Sequence, residues 1–131
     1  MPEEPQKGGE VDIEMLKQLI LERKGTTADF PFGPDVMVFR VMGKMFALCA
    51  WTKNPMEINL KCDPDHAEVL RNVYDAVRPG YHMNKRHWNT VTLDGSIPDK
   101  EFWQWVDDSY TLVAATLKKA QRLELAKLSK P

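Results

Sequence analysis

Three β-like stretches, Val36–Val41, Lys44–Trp51 and Glu57–Cys62, follow one another with connections too short to hold a crossover helix. Parallel strands need such a crossover, so this part of the chain is expected to fold as an antiparallel sheet. Met42-Gly43 is the length of a hairpin turn, and Lys53-Asn54-Pro55 separates the second stretch from the third. The third stretch alternates strictly. Glu57, Asn59 and Lys61 fall on one side, and Ile58, Leu60 and Cys62 on the other. A sheet built from it has one buried face and one wet face.

Helical signals flank these strands. Ile13, Leu16, Leu19 and Ile20 recur at helical spacing behind Glu10, Asp12 and Glu14, with Gly25 as a stop. Asp29-Phe30-Pro31-Phe32-Gly33-Pro34 reads as a loop. Asp63-Pro64 starts a second helix, with Val69, Leu70, Val73 and Tyr74 as its apolar stripe. Trp88–Leu93 is a further strand, closed by Asp94-Gly95. Pro98 opens a last helix, on which Phe102, Trp105, Val106, Ser109, Leu112 and Val113 share a face. The segment from Lys118 to Leu128 keeps helical propensity, as an extension or as a separate short helix. The expected fold is α+β, an antiparallel sheet with helices on one face in the order α-β-β-β-α-β-α. Glu57, Asn59, Lys61, Trp88, Thr90 and Thr92 are expected on the opposite face. With 131 residues, one domain over 11–131 is expected, behind a flexible tail at 1–10.

Several function classes find no footing. The longest apolar run, Met45–Trp51, has seven residues, far short of the ~20 that span a bilayer. The acidic, polar start lacks a secretory h-region, so a cytoplasmic protein is expected, with Cys49 and Cys62 as reduced core thiols. The carboxylate pairs Asp63/Asp65 and Asp107/Asp108 read as solvated surface acids. His66, His82 and His87 lack the companions that a zinc site needs. No nucleophile elbow, P-loop or dinucleotide fingerprint occurs. Neither an enzyme activity nor a cofactor is expected.

Net charge is −1, but its distribution is uneven: residues 36–93 carry 8 Lys/Arg against 5 Asp/Glu, and residues 1–35 carry 4 against 8. Local fields act within a Debye length of ~10 Å, so a basic surface can exist on a near-neutral chain. From Ala76 to Leu93 there is no acid in eighteen residues. That ribbon holds Arg78, Tyr81, His82, Asn84, Lys85, Arg86, His87, Trp88 and Asn89. Cations neutralise phosphates, while flat rings and amides stack on or hydrogen-bond to bases. The same donors could instead pin the ribbon's own backbone, with Trp88 in the core.

The ribbon also carries a resemblance. Arg78-Pro79, then His82, Asn84-Lys85, His87-Trp88, Thr90-Val91 and Leu93-Asp94-Gly95 resemble the signature of the MmcQ/YjbR family. Asp108-Ser109-Tyr110-Thr111-Leu112-Val113 is similar to a second element of that family. Phe39–Leu48 resembles its central hairpin, and Asn59-Leu60-Lys61-Cys62 its third strand. The likeness covers residues 11–117. It implies a CyaY/frataxin-like fold and a small cytosolic protein that binds DNA in a double-wing arrangement. The first helix mixes Asp12, Glu14 and Glu22 with Lys17, Arg23 and Lys24, unlike the acidic helix through which frataxins hold iron.

In that light Arg78, Lys85 and Arg86 are expected to meet phosphates, and His82, Asn84 and His87 to position or hydrogen-bond. Trp88 is expected to stack on a base or to anchor the ribbon. Lys44 and Lys53, at hairpin ends, are the expected wing contacts. Ser109 and Tyr110 are read as a hydroxyl pair tying the last helix to the His-Asn-Lys loop. The alternative is a small-ligand or protein-binding domain, with a pocket bordered by His82, His87 and Trp88.

Overall fold

The computed structural model describes residues 12–80 and 84–128. The tail at 1–10 and the side chains of Tyr81 and His82 lie outside the described residues. The elements are α1 (Ile13–Leu21), β1 (Thr26–Asp29), β2 (Met37–Val41), β3 (Lys44–Ala50), β4 (Glu57–Lys61), α2 (Pro64–Val73), β5 (Val77–Pro79), β6 (Trp88–Thr92), α3 (Asp99–Ala114) and α4 (Lys119–Lys127). The expected succession of helix, three strands, helix, strand and helix is present. Two short edge strands and a separate fourth helix complete it.

The six strands form one sheet in the order β1-β2-β3-β4-β6-β5, every neighbouring pair antiparallel. Met42 and Gly43, at φ 49° and 90°, join β2 to β3 in a two-residue turn whose handedness matches the twist of the strands. The register places Phe39, Ala47, Cys49, Ile58, Leu60 and Val91 on one face. There they form the main core with Leu16 and Ile20 of α1, Ala67 and Leu70 of α2, and Phe102, Trp105 and Val106 of α3.

One irregularity joins sheet to helix. Phe39 pairs with Ala47 but Arg40 pairs with Met45, so Phe46 is an extra residue in β3. Such a bulge breaks the ladder locally and leaves backbone groups without strand partners. The Ser109 hydroxyl of α3 fills the gap, donating to the Phe46 carbonyl at 2.6 Å and accepting from the Lys61 N–H at 2.8 Å.

Two expectations are corrected. The buried side of α2 is Ala67 and Leu70, with Tyr74 beyond, while Val69 and Val73 are 54% and 62% exposed. α2 rests on the narrow β5–β6 edge, so a short stripe of small and medium side chains suffices, and the two valines fall outside it. Ser109 and Tyr110 do anchor α3, but not to the His-Asn-Lys loop: Ser109 binds the bulge, and the Tyr110 hydroxyl donates to the Lys24 carbonyl at 2.6 Å.

Candidate nucleic-acid interface

The expected wet face exists. Strand register places Glu57, Asn59, Lys61, Trp88, Thr90, Thr92 and Arg78 on the side away from the main core. This face is not uniformly polar. Val38, Leu48 and Trp88 form a second small cluster on it, with Val36 and Met45 against them. Trp88, only 9% exposed, therefore takes the anchoring role. Its fit is tight at the neighbouring turn. A Cβ on Gly80 would stand 2.8 Å from the Trp88 Cβ and 3.0 Å from the Trp88 carbonyl oxygen, so only glycine fits there.

The ribbon divides into parts that hold and parts that project. Asn89 points into the helical side and is buried; its Oδ1 accepts from Arg71 Nε of α2 at 2.8 Å, and its Nδ2 donates to the Ala67 carbonyl. Arg71 also donates to the Lys85 carbonyl. Asn84 Oδ1 accepts from the Arg86 N–H at 3.0 Å, the Asn84 carbonyl accepts from the His87 N–H, and the His87 carbonyl accepts from the Cys62 N–H at 2.7 Å. The backbone of 84–87 is thus fixed from both sides. Asn84 uses its side chain to shape this turn, and the half-buried His87 contributes backbone bonds.

What projects are the side chains of Lys85 and Arg86. Both are exposed, and neither makes an ion pair with a described residue. Arg78 is exposed but engaged: its guanidinium lies 3.2 Å from Glu57 Oε2 and donates to Thr92 Oγ1 at 2.9 Å. Lys53 Nζ sits 3.1 Å from the other Glu57 oxygen. Burial pushes the Glu57 carboxyl up, but these two cations outweigh it and hold the pKa below its ordinary value.

The two expected wing lysines do not share an edge. Lys44 begins β3 and Lys53 lies beyond its far end, so about 20 Å of strand separates them. Lys44 Nζ donates to the carbonyl and hydroxyl of Thr116 just past α3, at 3.0 and 3.1 Å, where a helix end favours a cation.

A cavity of about 10 Å³ opens elsewhere, between α2, α3 and the sheet, lined by Cys62, His66, Asn89, Trp105 and Asp108 among others. Its volume suits a single water. Sequence reasoning did not single out this place. Cys62 Sγ lies 3.6 Å from His66 Nδ1, a pairing across the Asp63 cap between the residue before it and the third residue of α2. Burial first, then the carboxylates of Asp63 and Asp108, pushes the Cys62 thiol up to about 11, the opposite of an activated nucleophile. Among the described residues, no three His, Cys, Asp or Glu side chains gather as metal ligands would. No helix among them is long and apolar enough to cross a membrane.

Fold and site together define a class: small α+β domains with a one-sided antiparallel sheet and a basic loop pinned between its second helix and its sixth strand. Residues 21–112 match the YjbR family model, and the chain belongs to the YjbR family. It is 37% identical over 106 residues to the uncharacterised protein YbdF of Escherichia coli O157:H7, covering 81% of this chain and 87% of that one. It is 39% identical over 89 residues to the uncharacterised protein YjbR of Escherichia coli K12, covering 68% and 75%. Among solved structures, protein DR2400 of Deinococcus radiodurans, a DUF419 domain, superposes with a TM-score of 0.84 at 33% identity, over 97% of this chain and 96% of that one. A Pseudomonas syringae protein superposes with a TM-score of 0.67 at 30% identity, over 78% and 98%.

Proposed function

We propose that this protein binds DNA, without catalysis, through the Lys85-Arg86 loop. The observation that carries the reading is the contrast within the ribbon. Its backbone is held by Arg71, Asn84 and Cys62, while the two adjacent cations stand exposed without an ionic partner among the described residues. A loop fixed in place costs little further ordering when a phosphate arrives, and unpaired cations give up no internal partner. DNA as the polyanion follows from the family resemblance of the same segment. Trp88 supports the loop from beneath, and Arg78 stays with Glu57.

The test is a salt titration of binding to duplex DNA, comparing the natural chain with Lys85→Ala/Arg86→Ala. Each lost phosphate contact should flatten the log K against log salt slope by ~0.9, and two should weaken binding on the order of 10- to 100-fold at 0.1 M salt. An unchanged slope and affinity would sink the reading.

A further inference from the structure

The strand register brings together cations that the sequence scatters. Lys61 pairs with Trp88, and the Cys62 N–H meets the His87 carbonyl, so the end of β4 and the 84–87 loop are side by side. The β2–β3 turn lies at the same end of the sheet, because Ala47 pairs with Leu60 and Val41 with Lys44. Lys44 then reaches Thr116, and Arg122 of α4 donates to the Ala115 carbonyl. Leu125 of α4 is buried beside Gly25, whose carbonyl accepts from the Met42 N–H. One end of the molecule therefore carries Lys44, Lys61, Lys85, Arg86 and, on and before α4, Lys118, Lys119 and Arg122. The acids at this end are Glu22, Asp63, Asp65, Asp107, Asp108 and Glu124; Asp63 is already occupied in capping α2, accepting from the N–H groups of Asp65 and His66, and Asp107 is paired with Arg23 at 2.8 Å. The other end of the sheet gathers Asp35, Asp75, Asp94, Asp99 and Glu101, with Asp12 at the start of α1, against the cations Lys53 and Lys100. A chain of net charge −1 is thus polarised along its strand direction.

We propose that the DNA-binding surface runs across this whole basic end, from the 84–87 loop past Lys61 and the β2–β3 turn to Lys118 and Lys119 at α4. The duplex crosses the strand ends and does not lie on the open sheet face. This rests on the DNA-binding reading and extends it to a helix outside the signature segment. The geometry has the right scale. From β6 to β1 there are four strand spacings, about 19 Å, a span in which duplex DNA presents roughly a dozen phosphates. Lys118 and Lys119 are exposed, have no ion pair with a described residue, and stand at the N-terminal end of α4, where the helix dipole gives a cation no internal support.

The experiment compares the salt slope of duplex binding for Lys118→Ala/Lys119→Ala with that for Lys17→Ala/Lys100→Ala, which removes equal charge away from this end. The α4 variant should flatten the slope by up to ~1.8 and weaken binding at least several-fold, with the control variant unchanged. If the natural chain binds and Lys85→Ala/Arg86→Ala flattens the slope while the α4 variant does not, the extension to α4 is overturned. Equal effects from both lysine pairs also overturn it, since net charge alone would then explain the loss. No binding by the natural chain removes the DNA reading and the extension with it. Amide exchange of α4 with and without DNA gives a readout on the unmutated protein: slowed exchange supports the proposal, and unchanged exchange in the bound state opposes it.

Discussion

At the scale of single residues, the polar groups that matter most are those no longer available to solvent. Ser109 is fully buried, and its one oxygen repairs both sides of the ladder at the Phe46 bulge. Ser109→Ala would leave the Lys61 N–H and the Phe46 carbonyl buried without that partner. Each such group costs about 1–3 kcal/mol, so the variant should lose at least about 2 kcal/mol in urea denaturation, with the same fold at low denaturant. The serine was visible in the sequence as a polar residue on an apolar helix face. Its partner was not. Only an extra residue in a strand sixty-three positions earlier makes a hydroxyl necessary there, and bulges leave no period in the sequence. The partners of the two lysines at hairpin ends were hidden for a related reason. Being at a strand end was legible, but Lys44 is drawn to the end of α3 and Lys53 to Glu57, and both partners come from other elements.

At the scale of elements, the fold was legible wherever the period was strong. The alternation of β4 named both sheet faces correctly, and the register of β6 put Trp88, Thr90 and Thr92 where it implied. The short edge strands β1 and β5 were missed because four and three residues carry too little pattern; they are strands because a neighbour offers a ladder. The 84–87 loop depends on α2 in the same manner. Arg71 is its strap, bonded to Asn89 and to the Lys85 carbonyl. Arg71→Met should therefore loosen the loop, with faster amide exchange confined to residues 84–89 and the strands beyond unchanged. On the proposed DNA-binding reading, affinity for duplex DNA should also fall several-fold through lost preorganisation. Exchange rates unchanged at 84–89 would show that the strap is not what orders the loop.

For the whole molecule, pH acts through the core thiols. Burial pushes Cys49 up to about 12, and Cys62 rises to about 11, from an unfolded value of 9.0. Below pH 9 both states hold the thiol protons, and stability is at its full value. Above it the unfolded chain releases them while the folded chain keeps them, so stability falls as pH rises through 9 toward 11. The slope should approach about 1.4 kcal/mol per pH unit for each thiol. Denaturant melts at pH 8 to 10.5 should show this loss, and Cys49→Ala/Cys62→Ala should flatten it; an equally steep loss in that variant would assign it to other groups, Tyr110 among them.

The sequence by itself determined the antiparallel sheet, the order of its main elements, which strand face meets the helices, and the family signature. All of these depend on neighbours a few residues apart, where periodicity and steric rules act directly. It also marked the 76–93 ribbon, but it left open which of its donors turn inward. Tertiary structure decided that Trp88, Asn89 and Asn84 hold the ribbon while Lys85 and Arg86 project from it. It decided too that lysines far apart in the chain share one end of the molecule. Strand register sets both outcomes, because a side chain's exposure and its electrostatic company depend on residues brought alongside from distant parts of the chain, and charge counted along a sequence has no position in space.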